Sequence, residues 1–142
     1  MNGKHFELTE ESRVAPSGAI IFRIRATRDS THAKKGELGG FIESYDNLQD
    51  EAWVSGDSCV YENARVYVKA RVMGCAHVSG DACVYGDAKV SSSARVAGKA
   101  RVFGNAYVFG SSWVYGNAWV HGNSRVYGDV RVSNDCNENK GA

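Results

Sequence analysis

A valine stands at every sixth position from Val54 to Val132 without a gap: Val54, Val60, Val66, Val72, Val78, Val84, Val90, Val96, Val102, Val108, Val114, Val120, Val126 and Val132. Two residues before each sits a small side chain, usually Ala as in Ala52, Ala64 and Ala118, in a few units Ser58, Ser112 or Ser124, and once Val130. A period of six fits neither the 3.6-residue turn of an α-helix nor the two-residue alternation of a long strand. Each unit must therefore be a short strand followed by a turn, and units that cannot bury an apolar face alone must stack into a solenoid.

The turns carry their own signal. Ten of the thirteen segments between successive valines have Gly two residues after Val, often followed by Asp or Asn, as in Val114-Tyr115-Gly116-Asn117. That composition suits a tight corner that needs positive φ.

Residues 1–50 lack the period and hold the only proline, Pro16. Within them Ala19-Ile20-Ile21-Phe22-Arg23-Ile24-Arg25 reads as a strand with Phe22 and Ile24 on one face and Arg23 and Arg25 on the other. Lys34 to Glu43 reads as a glycine-bearing turn leading into a second extended piece. An open solenoid end exposes core and unpaired strand edge, so this segment is expected to be a β-rich cap, with a boundary near Gln49-Asp50. Residues 51–132 form the repeat, and 133–142 form a polar tail expected to be disordered.

Seventeen Lys and Arg against sixteen Asp and Glu leave a net charge of +1, which does not indicate a nucleic-acid partner. No apolar run reaches membrane-spanning length and the first residues are polar, so a cytoplasmic protein, in a bacterial host cell, is the expectation. Cys59, Cys75, Cys83 and Cys136 form no CxxC pair and have no His at ligand spacing, so neither a zinc knuckle nor a disulfide framework is expected.

The unit Val-x-Gly-[Asp/Asn]-Ala-x, seen in Val102-Phe103-Gly104-Asn105-Ala106-Tyr107, resembles the hexapeptide-repeat family. That resemblance implies an all-β fold: a left-handed parallel β-helix, triangular in section, with three short strands per coil. At that geometry the repeat spans about 4.7 coils, or roughly 22 Å of stacked rungs. The whole chain, including Glu7-Leu8-Thr9-Glu10-Glu11 and Lys35-Gly36-Glu37-Leu38-Gly39-Gly40-Phe41, also resembles bacterial and bacteriophage proteins loosely labelled hexapeptide transferases. Common self-association as trimers in the family implies a homo-oligomer, trimeric in the first instance.

With three strands per coil, residues 18 apart share a face. All eleven aromatics of the repeat fall immediately before or after a valine, the outward positions: Trp53, Tyr61, Tyr67, Tyr85, Phe103, Tyr107, Phe109, Trp113, Tyr115, Trp119 and Tyr127. One face stacks Tyr67, Tyr85, Phe103 and His121 beside Arg101 and Trp119. A second holds His77, Arg95, Trp113 and Tyr115, and a third Tyr107, Phe109, Arg125 and Tyr127. Residues Tyr107 to His121 are expected to form an aromatic girdle near the C-terminal end. Tyr, Trp and Arg dominate binding hot spots, and large apolar patches mark interfaces.

These residues point to a non-catalytic oligomeric binding protein, with the aromatic and arginine exterior as its binding surface. A phage-encoded inhibitor or sequestering protein acting on a host factor or a nucleotide-like ligand is the expected setting. The alternatives are an acetyl-CoA-dependent acyltransferase with an intersubunit site, as the family resemblance implies, and a structural spacer in a phage particle. For catalysis the candidate bases are His121 and His77, on different faces and with no acid placed beside them by the repeat. No insertion interrupts Val54 to Val132 to build a pocket, three clustered His ligands are lacking, and no cofactor is expected.

Overall fold

The structure, a computed structural model, describes residues 5–133. Each periodic valine closes a two-residue strand, from Trp53–Val54 to Arg131–Val132. The strands pair in parallel at the offset of one coil, valine on valine: Val54 with Val72, Val60 with Val78, Val66 with Val84. Three sheets result, and the chain is an all-β parallel β-solenoid. We name the sheets by their outward residues. The Tyr67 face runs from Arg65 to Trp119, the Trp113 face from Cys59 to Arg131, and the Tyr107 face from Trp53 to Arg125.

The core is the pattern made solid. Every periodic valine from Val54 to Val126 has no exposed surface, and the alanines two residues before them are equally buried. Where Ser replaces Ala, the hydroxyl can be absorbed by backbone: Ser112 Oγ donates to the carbonyl of Phe109 at 2.7 Å and approaches that of Val126 at 3.3 Å. All ten corner glycines adopt φ between 64° and 72°, the left-handed region that glycine enters at no steric cost. Within the valine period the three corners without glycine, Glu62, Val68 and Ser92, adopt φ of 59°, 61° and 59°, and Asp50 just ahead of it adopts 58°, so the shape of the coil is held even against the side chain.

The N-terminal segment continues one sheet past its periodic part. Strands β1 (Phe6–Val14) and β2 (Ile20–Ala26) form an antiparallel hairpin, and β2 pairs antiparallel with β3 (Leu38–Ile42). β3 then lies parallel to Cys59–Val60, with Phe41 opposite Cys59 and Ile42 opposite Val60. Leu48 bridges Val66 in the same way. Ile42 and Leu48 thus occupy valine slots one coil earlier, and the first coil starts ahead of the residue-50 boundary drawn from the period. Phe6, Ile24, Ala26, Ile42 and Leu48 join the valine core and close its N-terminal end. The entry is tight: a Cβ on Gly40 would lie 2.6 Å from the carbonyl of Ser58 and one on Gly39 2.5 Å from that of Val54.

Two expectations need correction. Trp53 and Tyr61 point outward in register, yet both are buried, with relative exposures of 1% and 6%. The N-terminal segment covers them. His5 lies 6.0 Å from Trp53 and its Nε2 is 2.8 Å from the carbonyl of Ala52, while Ala15, Ile21 and Phe41 enclose Tyr61 and Cys59 in a second apolar cluster. β2 is accordingly apolar on both sides. Ile24 faces the helix core, Ile21 shares the opposite side with Arg23, and Phe22 is only partly covered. The polar tail expected from residue 133 lies, beyond Ser133, outside the described residues.

Candidate functional site

The outward positions hold three separate aromatic groups, one to a face. On the Tyr67 face the rings stack in sequence: Tyr67 on Tyr85 at 4.9 Å and 12°, Tyr85 on Phe103 at 5.0 Å and 3°, Phe103 on His121 at 5.1 Å and 11°. Residues directly above one another in a parallel sheet are held at the strand spacing of about 4.8 Å, and planar side chains stack at that separation without distortion. Trp119 meets Phe103 edge to face at 5.9 Å, and the Arg101 guanidinium lies 5.7 Å from the Trp119 ring. Burial pushes the Tyr67 hydroxyl above the usual tyrosine range.

On the Trp113 face, paired residues make a continuous column of Arg23, Phe41, Cys59, His77, Arg95, Trp113 and Arg131. Cations flank its aromatic members. Arg13 and Arg23 lie 4.1 and 4.6 Å from the Phe41 centroid, and Arg95 and Arg131 lie 5.8 and 5.3 Å from Trp113. Tyr115 sits beside Trp113 at 5.7 Å. On the Tyr107 face, Tyr107 contacts Phe109 at 4.5 Å, Phe109 stacks on Tyr127 at 5.3 Å, and Arg125 lies next to Tyr107 in register.

The expected girdle of Tyr107, Phe109, Trp113, Tyr115, Trp119 and His121 is therefore divided. Among the described residues, ring contacts in the repeat run along each face and none crosses a corner. The corners, with their glycines and polar residues, separate the groups. Trp119 and Tyr115, at 44% and 37% exposure, are the most open of the rings, and they flank the same corner.

The charges divide as well. Among the described residues every arginine of the N-terminal segment is ion-paired: Arg13 with Asp57, Arg23 with Glu11 and Asp57, Arg25 with Glu7, Arg28 with Glu51. The Glu51 carboxyl is held below the usual carboxylate range by the Thr31 backbone N–H first and by Arg28 second. Among the described residues no salt bridge engages Arg65, Arg71, Lys89, Arg95, Lys99, Arg101, Arg125 or Arg131. Between Trp53 and Ser133 the chain carries nine Lys and Arg against five Asp and Glu, an excess hidden by the near-neutral total.

The two candidate bases stay apart, His77 on the Trp113 face and His121 at the end of the Tyr67 stack. Burial lowers the His77 pKa below the ordinary histidine value, and Arg95 beside it lowers it further. The Tyr61 Oη lies 3.5 Å from its Nδ1, and burial raises the Tyr61 pKa. Neither group orients the imidazole as a carboxylate would. Among the described residues no three His, Cys, Asp or Glu side chains converge as a metal-holding group. No helix among them is long and apolar enough to cross a membrane.

One concavity was not foreseen. An open groove of about 620 Å³ lies where the first coil meets the short 3-10 turn Tyr45–Asn47, lined by Asp46, Asn47, Glu62, Arg65, Tyr67 and Asp81. Asn47 is buried and its amide reaches the carbonyls of Glu62 and Ala64, so it braces the groove floor. No sequence signal marked it, because Asn47 precedes the valine period and its partners are backbone atoms.

Comparison with known proteins adds one point. The sequence model of a family described as YdcK beta solenoid repeat matches residues 100–116, the stretch that carries Arg101, Phe103, Tyr107, Phe109, Trp113 and Tyr115. No curated protein matches the chain. The matched stretch and the three stacked sheets agree on a β-solenoid repeat.

Proposed function

We propose that this chain is a non-catalytic, self-associating binding protein that captures its partner through the arginine and aromatic columns of the repeat. A phage-encoded product acting on a host factor is the setting that the whole-chain resemblance implies. The observation that carries the reading is the contrast in pairing. The N-terminal arginines are neutralised within the chain, whereas Arg95, Arg101 and Arg131 of the repeat stand beside Trp113 and Trp119 and have no salt bridge among the described residues. Arginine next to Trp and Tyr on a rigid, exposed sheet is the composition of an interaction hot spot.

The ring geometry favours a protein partner over a stacked nucleotide-like ligand. Within the Tyr67 column each inner ring already has both faces against neighbours, which leaves edges to the outside. Edges and guanidinium groups suit the side chains and carboxylates of a protein surface.

The test is capture from bacterial lysate by wild type and by a Trp113→Ala, Trp119→Ala, Arg101→Ala variant, compared by mass spectrometry. A partner retained by wild type and lost by the variant is expected, and an identical set of captured proteins would refute the assignment. Calorimetry with acetyl-CoA addresses the acyltransferase alternative. Binding that disappears in His121→Ala would overturn the non-catalytic reading.

A further inference from the structure

The corner between the Trp113 and Tyr67 faces is electrically polar along the helix axis. Its successive rungs are Glu62-Asn63, Gly80-Asp81, Gly98-Lys99 and Gly116-Asn117. At its N-terminal half stand Asp46, Glu62 and Asp81 around the 620 Å³ groove, with Arg65 as the only cation among the described residues of the lining. At its C-terminal half stand Arg95, Lys99, Arg101 and Arg131, with no acidic residue among them and no salt bridge to any of them among the described residues. The two most exposed rings, Trp119 and Tyr115, lie at that same basic end.

We propose that this corner is a self-complementary interface at which a second copy of the chain packs antiparallel. Asp81 and Lys99 occupy the same slot on consecutive rungs, about 4.8 Å apart along the axis. A dyad placed midway between them sets Asp81 against the partner's Lys99 and Lys99 against the partner's Asp81. The same operation reverses the column Arg65, Cys83, Arg101, Trp119. The partner's Trp119 then falls at the level of Arg65 and Tyr67, inside the acidic groove, and the partner's Arg101 at the level of Cys83. An isologous contact of this kind needs one patch that complements itself, and this corner does so only when reversed. A parallel three-fold arrangement through the same corner would bring Asp81 to Asp81 and Glu62 to Glu62, like charge on like.

The inference deepens the reading of the repeat exterior as adhesive, and its test is separate from partner capture. Sedimentation of the full chain at about 0.05 and about 0.5 M NaCl is expected to show a monomer–dimer equilibrium that weakens with salt, since exposed charges supply much of the contact. Asp81→Lys and Lys99→Glu are exposed substitutions that each place like charges across the dyad twice, and each should weaken self-association about tenfold or more. Mixed one to one, the two variants present opposite charges at both contacts, so the mixture should associate as wild type does. A mixture that associates no better than either variant alone, or a wild type that is trimeric or wholly monomeric, would overturn the antiparallel interface. An Asp81→Lys monomer that still captures the lysate partner would leave the proposed function standing, and a wild-type dimer that captures nothing would leave the interface standing.

Discussion

Gly104 and Gly122 occupy one corner column on consecutive rungs, with φ of 69° and 66°, and differ in what lies above them. A Cβ on Gly104 would lie 2.9 Å from the amide nitrogen of Gly122 and 3.2 Å from its carbonyl oxygen, while among the described residues one on Gly122 meets nothing within 4 Å. Alanine at either site meets the left-handed penalty of about 1–2 kcal/mol. Restriction of the unfolded chain returns about 0.4–1 kcal/mol of that. Gly122→Ala should therefore cost about 0.5–1 kcal/mol. Gly104→Ala adds an overpacking cost, typically about 1–3 kcal/mol. The low end applies, because Glu62, Val68 and Ser92 show that the corner tolerates a Cβ when φ closes to about 60°. A total near 2 kcal/mol is expected from that sum.

Position along a solenoid affects the readout, since a terminal coil can open without the rest. Val102→Ala and Val120→Ala, both fully buried two residues before the respective glycines, calibrate this. Each loses about 1.6 kcal/mol of methyl transfer before any cavity cost. Urea unfolding followed by circular dichroism on all four variants gives the comparison. If Gly122→Ala destabilises as much as Gly104→Ala while the two valine variants agree, left-handed strain alone explains the glycines and the stacking argument fails.

Gly40→Ala should be far more damaging than Gly18→Ala, because its Cβ would sit 2.6 Å from the carbonyl of Ser58 and 2.7 Å from Val54, whereas Gly18 has open space; thermal melts will rank them. The repeat cysteines should react with a thiol reagent in the order Cys75, Cys83, Cys59, since Cys75 is exposed, Cys83 half-buried, and burial pushes the Cys59 thiol up; peptide mass mapping over time reads this. Lowering of the His77 pKa in the folded state means that the unfolded chain binds the proton more readily, so stability is full above the ordinary histidine value and falls as pH drops through it. Arg95→Gln should raise the His77 midpoint in an NMR titration, and an unchanged midpoint would remove Arg95 as a cause.

The strand positions, the buried valines and the three outward columns were all legible in the repeat, because a period of six with 18 residues per coil assigns both depth and face to every residue. Closure of the N-terminal end was harder to read. Ile42 and Leu48 keep the spacing, but Gly40 and Asp46 replace the alanine two residues before them, so the period fades one coil before the structure does. Register gives a side chain its direction and says nothing about what lies over it, which is why Trp53 and Tyr61 are outward and buried at once. The ring columns followed from spacing, while the near-parallel stacking that occupies their faces depends on side-chain torsions. The pairing of Arg13 and Arg23 with Asp57 required the hairpin to extend the sheet of the Trp113 face, a long-range event with no local sequence signature.

Valine lies on valine at an offset of 18 residues on all three sheets. The helix therefore counts in thirds of a turn. Inserting one hexapeptide ahead of Phe103 would leave every core contact satisfied, yet would rotate all later residues by about 120° and send His121 to a neighbouring face. Inserting three would lengthen the prism by one rung and keep each column aligned. Changes of length are thus neutral to the core and decisive for the surface, and a lineage of such chains could alter what it displays without altering what holds it together.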